Sequence, residues 1–169
     1  GLPFYRNFLN YLSSPFNIIL FLFKRENIVM AFSIIIGLKA VFASVSMSYY
    51  LKKTFKKDGL LTCLFGVLYA FSGYFCAYYW NIMWLDGMVF LPLIMLGINK
   101  IIDEDNPIFY IVFLAIMLFA NYFISYMICI FSVIYFVGLF IYRGNFKIKN
   151  ILKKILMFSL SSVLAAGLV

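Results

Sequence analysis

Long apolar runs, separated by short polar or charged breaks, dominate this chain. The run Ile28–Leu51 is about 24 residues long, enough for a helix to cross a bilayer with some tilt. Leu60–Tyr79 is a second run and Leu85–Ile102 a third, and Pro92 inside the third predicts a kink. Ile108–Tyr142 stays apolar for about 35 residues, too many for one ordinary span. Its polar cluster, Asn121-Tyr122-Phe123-Ile124-Ser125-Tyr126, predicts a break into a hairpin of two short helices, over 108–121 and 125–142. A last run over 155–169 begins another crossing. Ahead of all these, Ser13-Ser14-Pro15 reads as a helix start, with Ser14 as cap and Pro15 in the first turn. The run Ile18–Phe23 is too short to span, so residues 1–27 are expected to form an interfacial or re-entrant segment.

The breaks carry the charge. Lys52-Lys53-Thr54-Phe55-Lys56-Lys57 holds four cations, and Arg143–Lys154 holds five. The excess of Lys and Arg in cytoplasmic loops assigns both segments to the cytoplasmic side. Parity then places Lys100–Pro107 inside, and the 80–87 stretch and residues 1–25 outside. The two ends of the 108–142 run are both inside, so its hairpin is expected to turn below the outer surface, with its backbone facing protein or water. The fold expected is all-α: a polytopic transmembrane helical bundle forming one domain over 1–169. The chain starts at Gly1 and stops at Val169 within an apolar run, and it reads as a piece of a longer membrane protein.

Composition sharpens this. The chain is 66% hydrophobic and 12% charged, with mean hydropathy +1.03. Soluble domains run near ~45–50% apolar and ~25% charged, so this is an integral membrane protein. The net charge of +8 belongs to the membrane surface rather than to nucleic acid. There is no histidine, which removes the commonest general base and the commonest metal ligand. Cys63, Cys76 and Cys129 are widely spaced in apolar segments and read as small buried hydrophobes. No metal site and no phosphate-cradling glycine loop is found.

Two ionisable residues stand out. Asp86 lies between apolar runs, in Trp80-Asn81-Ile82-Met83-Trp84-Leu85-Asp86-Gly87. A charge near hydrocarbon is costly, and tryptophan prefers the membrane interface, so Asp86 is expected at the mouth of a membrane-embedded site. A buried structural cap is the plainer reading. Lys39 falls near the middle of the first span; it either faces a cavity and holds an anion, pairs with a carboxylate elsewhere, or snorkels. Asn81, Asn121, Tyr122, Ser125 and Tyr126 converge with Asp86 on the outer side, and parity adds Arg6, Tyr5, Asn10, Tyr11, Ser13 and Ser14. Carboxylate, amides, hydroxyls and aromatic faces together suit a sugar, and Arg6 and Lys39 suit a phosphate.

Several of these pieces resemble the bacterial YfhO family of polytopic membrane proteins. They are Tyr11–Asn17, Gly37-Leu38-Lys39-Ala40, Leu68–Tyr74, Trp80–Asp86 with Leu91-Pro92-Leu93-Ile94 and Gly97, and Asn121-Tyr122 with Tyr126-Met127. Family members are much longer and look like GT-C glycosyltransferases. The resemblance implies an enzyme of the bacterial cytoplasmic membrane whose site faces outward. It would move a sugar from a polyprenyl-phosphate carrier to a cell-wall polymer such as lipoteichoic acid. It also implies that the main catalytic carboxylate lies in a first outer loop, of which this chain holds only part; residues 1–23 contain no carboxylate. Asp86 is then an assisting catalytic group. Lys39, Arg6, Asn81, Trp84, Asn121, Tyr122, Tyr126, Tyr11 and Ser14 contribute to substrate binding. The lipid-linked sugar is the donor, with no cofactor assigned and the metal requirement open. The competing class is a transporter or lipid-linked sugar flippase without transfer chemistry, followed by a purely structural scaffold.

Overall fold

The computed structural model describes residues 13–144 and 148–169. Those residues form seven α-helices and three short 3-10 segments, with no strand among them. Pro15 opens a 3-10 helix, Pro15–Leu22, directly after Ser14, although the Ser14 hydroxyl makes no capping hydrogen bond. A 3-10 turn, Arg25–Asn27, then leads into α1 (Ile28–Phe55). Lys52 and Lys53 lie in the last turn of α1, where the negative end of the helix dipole favours cations.

The second apolar run is not one helix. It divides into α2 (Leu60–Ala70) and α3 (Gly73–Tyr78). Phe71 closes the last turn of α2 onto Val67, and the Ser72 carbonyl restarts the ladder by accepting from the Cys76 N–H. Ser72-Gly73 supplies a serine at the cap and a poor helix former, a combination that favours a restart over continuation. α2 packs closely on α1 because Gly66 faces Ser44 and Ser48; a Cβ there would collide with the Ser48 hydroxyl and the Ser44 carbonyl. Small residues bring membrane helices together in this way.

A 3-10 turn, Ile82–Trp84, leads into α4 (Leu85–Glu104). α4 is the central helix: 67% of its most apolar stretch is buried, against 11–28% in the other four stretches long enough to span, with α2 and α3 counted as one. Pro92 lies inside it and lacks the N–H that would bind the Met88 carbonyl. The Tyr69 hydroxyl of α2 donates to that carbonyl at 2.9 Å, so the proline's lost bond is replaced from a neighbouring helix.

α5 (Ile108–Ala120) and α6 (Tyr122–Arg143) are separated by one extended residue, Asn121. Its Oδ1 accepts from the Ile124 N–H at 2.9 Å, and Ser125 Oγ donates to the Met117 and Asn121 carbonyls. The expectation of two short helices is corrected here. Only α5 is short; α6, with 22 residues, is long enough to span. Asn121 alone makes the break and the cap, so Tyr122–Tyr126 become the first turn of α6 rather than a loop. α7 (Ile148–Gly167) completes the described chain.

Contacts give the directions. Lys39 meets Asp86 and Thr54 meets Asn99, so α1 runs parallel to α4. Ile124 lies by Gly87 and Arg143 pairs with Asp103, so α6 runs the same way. α2, α5 and α7 run back. The basic segments after α1 and α6 therefore share one end of the bundle, and Asp86 lies toward the other. Large apolar side chains such as Val41, Val45, Phe65, Ile134 and Val163 cover the outside, as a hydrocarbon solvent requires.

Candidate site at the Lys39–Asp86 pair

Ala40 and Ala43 leave room beside Lys39, which is 1% exposed although it lies mid-helix. Its Nζ sits 2.9 Å from Asp86 Oδ1, donates to the Ile82 carbonyl at 2.8 Å, and lies 5.4 Å from the centre of the Phe16 ring. Asp86 is in the first turn of α4, where the positive end of the helix dipole suits a carboxylate. Ser14, also buried, brings its hydroxyl beside the same carboxylate. Four separate segments thus close around one ion pair: the 3-10 helix at Pro15, α1, the Ile82 turn and α4.

The pair is closed by distance but not by hydrogen-bond direction. Neither Asp86 oxygen nor Ser14 Oγ accepts or donates a well-directed hydrogen bond among the described residues. Coulomb attraction depends on separation rather than on lone-pair direction, so the 2.9 Å contact still holds the charges together. The carboxylate keeps unused acceptor capacity in a fully buried position, where such capacity is expensive to leave open.

Gly87, next in sequence to Asp86, forms part of the wall of a cleft of about 300 Å³, with Tyr69, Tyr74, Trp84, Met88 and Met127; neither Lys39 nor Asp86 lines it. A column of rings borders it: Tyr74 to Tyr78 at 5.1 Å, Tyr78 to Trp84 at 5.3 Å, and Trp84 to Phe123 at 6.2 Å between centroids. Such walls accept the apolar face of a sugar ring or a hydrocarbon chain.

The residues singled out from the sequence divide into groups. Asp86, Lys39 and Ser14 meet directly, and Trp84 lines the adjoining cleft. Asn81 is buried in the turn ahead of Trp84, its carbonyl accepting from the Trp84 N–H at 2.9 Å. Asn121 and Ser125 are wholly buried in the α5–α6 turn, which Ser13 also supports by donating to the Ala120 carbonyl at 3.1 Å. Tyr122 and Tyr126 are exposed and do not line the cleft. Arg6, Tyr11, Tyr5 and Asn10 lie outside the described residues. Sequence reasoning missed the Phe16 ring, the Ile82 carbonyl, and Tyr69, Tyr74 and Met127. Tyr69 had a signal: Pro92 orphans a carbonyl one turn back, and a hydroxyl from a neighbour had to answer it. Among the described residues no group of three or more His, Cys, Asp or Glu side chains could hold a metal ion.

Five helical stretches among the described residues are long and apolar enough to cross a bilayer, α2 and α3 counted as one, and two of them, α1 and α4, are joined by a buried ion pair; they define a multi-pass membrane protein. The family model described as "Bacterial membrane protein YfhO" matches residues 1–169, and the chain belongs to that family. It is 35% identical over 95 residues to the "Uncharacterized protein YfhO" of Bacillus subtilis (strain 168). That match covers 56% of this chain but 11% of the relative, so the chain corresponds to a small part of the relative's length. No solved structure matches it.

Proposed function

We propose that the protein carrying this chain is a membrane glycosyltransferase, moving a sugar from a polyprenyl-phosphate carrier to an extracytoplasmic cell-wall polymer such as lipoteichoic acid. The observation that carries the reading is the buried Lys39–Asp86 pair, one residue along α4 from the Gly87 wall of an aromatic cleft. An inverting transfer needs a base for the acceptor hydroxyl and a cation for the leaving phosphate. In this reading the donor phosphate competes with Asp86 for the Lys39 ammonium. The acceptor oxygen bonds to the anomeric carbon as its proton passes to a carboxylate, Asp86 or one beyond this chain. The bond from that carbon to the phosphate oxygen breaks, and the electron pair stays on the phosphate facing Lys39, with Arg6 as a second cation. Trp84 and Tyr74 pack against the sugar face or the isoprenoid, and Asn81 and Ser14 bind hydroxyls. Asn121 holds the α5–α6 turn, with the exposed Tyr122 and Tyr126 as outer contacts; Tyr11, outside the described residues, is a further binding residue on sequence grounds alone.

The runner-up is a transporter or lipid-linked sugar flippase. It is favoured by the depth of the pair, since ionisable residues inside spans commonly mark pathways. The test compares full-length protein with its Asp86→Asn variant at equal membrane expression, reading sugar on extracytoplasmic polymer. Loss of that sugar with lipid-linked donor still present is expected. Unchanged decoration removes Asp86 from the reaction, and movement of lipid-linked sugar without any transfer puts the transport reading first.

A further inference from the structure

The opposite end of the bundle holds a second polar site. The ends of α1, α4 and α6 enclose a cavity of about 410 Å³. Lys53, Lys56, Lys100 and Arg143 line it, facing Asp103 and Glu104. Arg143 is committed to Asp103 at 2.6 Å. Lys53, Lys56 and Lys100 make no ion pair among the described residues; Lys53 lies 5.7 Å from the Tyr49 ring centre and Lys100 4.7 Å from that of Phe109. A ring face steadies an ammonium while leaving N–H groups for an anion.

Lysines at helix C-termini are ordinary, because the dipole favours them. Two features go beyond that. The cavity floor is built: the Asn99 amide donates to Thr54 Oγ1 at 2.9 Å, its carbonyl accepts from Tyr135 at 2.8 Å, and the Tyr135 and Tyr50 hydroxyls meet at 2.9 Å. This chain of polar contacts ties together the three helices whose ends carry the cations. In addition, Lys56 holds the left-handed conformation, φ 53, where glycine is the cheaper residue. It ends α1, as the same conformation at Asp105 ends α4, and leaves Lys56 lining the cavity with Lys53.

We infer that this pocket binds a phosphate group, presented by an anionic phospholipid headgroup or by a soluble phosphate. Each lysine near an anionic surface contributes on the order of 1 kcal/mol, which is about fivefold in affinity, and basic pockets between helices are known headgroup sites. The inference is independent of the chemistry assigned to Asp86.

The test uses delipidated full-length protein in detergent. Retention of phosphatidylglycerol against phosphatidylcholine is read by native mass spectrometry, and inorganic phosphate is titrated separately. Wild type is compared with the triple variant Lys53→Gln/Lys56→Gln/Lys100→Gln, the matching triple arginine variant, and Lys24→Gln/Arg25→Gln at the other end. The glutamine variant should lose phosphate-group binding by about tenfold or more, while the arginine variant and the distant control keep it. Retention of phosphatidylglycerol alone assigns the lipid source, and saturable inorganic phosphate binding assigns the soluble one. Equal binding by wild type and the glutamine variant, or no binding of either probe by wild type, overturns the inference. Unchanged unfolding temperature of the glutamine variant separates lost binding from lost fold.

Discussion

Removing one member of the Lys39–Asp86 pair should damage the protein more than removing both. Each side chain is wholly buried. Lys39→Met leaves a carboxylate with the Ser14 hydroxyl as its polar neighbour. Asp86→Leu leaves an ammonium with the Ile82 carbonyl and the Phe16 ring face. Breaking a buried pair by truncating one partner costs about 3–5 kcal/mol, whereas replacing both by apolar groups of similar volume is often neutral or stabilising. Two independent losses would sum to about 6–10 kcal/mol. The double variant Lys39→Met/Asp86→Leu should instead lie within about 2 kcal/mol of wild type, a coupling of several kcal/mol. The assay is equilibrium unfolding of the full-length protein in nanodiscs, on all four members of the cycle. Additive losses would refute the reasoning, because they mean that the two charges do not compensate one another. The same double variant separates chemistry from scaffolding. If it folds but decorates no polymer, the charges act in the reaction; if decoration survives, their role is structural.

Three further outcomes follow from local geometry. A Cβ on Gly97 would meet Tyr110 backbone atoms at 2.6 and 2.7 Å, whereas on Gly87 it would meet the flexible Ile124 side chain at 2.6 Å. Gly97→Ala should therefore cost about 1–3 kcal/mol by forcing α4 and α5 apart, and Gly87→Ala less; equal costs in thermal unfolding would contradict this. Tyr69→Phe should cost about 1 kcal/mol in the native sequence and less in a Pro92→Ala background, where residue 92 regains the N–H for the Met88 carbonyl; an undiminished cost there would show that the two do not share that carbonyl. At the basic end, hydrogen bonds from Lys154 and Lys153 hold the Asp105 carboxyl below its ordinary value of 3.8. Because the folded value is depressed, the tie between α7 and α4 is present above the ordinary value and is lost as pH falls through the lowered one. Asp105 is exposed, so the effect should be small and weakened by salt. The hydrogen-exchange protection factor at the start of α7, referred to the intrinsic rate at each pH, should fall in acid and in Asp105→Asn; no change in either would sink the point.

The apolar runs made the helices legible, and the rarity of charge within them made Lys39 and Asp86 legible one at a time. Their apposition was not. It depends on α1 lying parallel to α4, a consequence of how α2 packs back through Gly66, and hydropathy carries no such information. The break at Phe71–Ser72 was hidden for a related reason: Ser72 and Gly73 are compatible with an apolar span, and only the restarted ladder reveals them as a stop and a cap. At Asn121 the break was visible but its economy was not, because a capping asparagine uses one residue where a loop would use several. The lysines at the other end were read correctly as a group, yet their enclosure around Asn99 needs three helix ends brought together.

Depth joins these points. Asp86 precedes Asn99 by thirteen positions on α4, and at about 1.5 Å per residue that places it ~20 Å from the polar network at the basic end. α5 also has 13 residues, so it too climbs ~20 Å before Asn121 turns the chain. A hydrocarbon core is ~30 Å thick. If the network marks one boundary, both the ion pair and the α5–α6 turn stop ~10 Å short of the other. A turn at such depth is tolerable only when its backbone is satisfied by protein. Asn121, Ser125 and Ser13 meet that condition for Ile124, Met117 and Ala120. Lys39 and Asp86 are 1% and 0% exposed and do not line the aromatic cleft, so a substrate reaching the pair would have to open the packing around it. Under the proposed transfer, a donor whose hydrocarbon part stays in the membrane suits such a recess better than a freely soluble one. An assay in which soluble sugar phosphates replace the lipid-linked donor should give no transfer, and efficient transfer from them would show that the recess does not govern access.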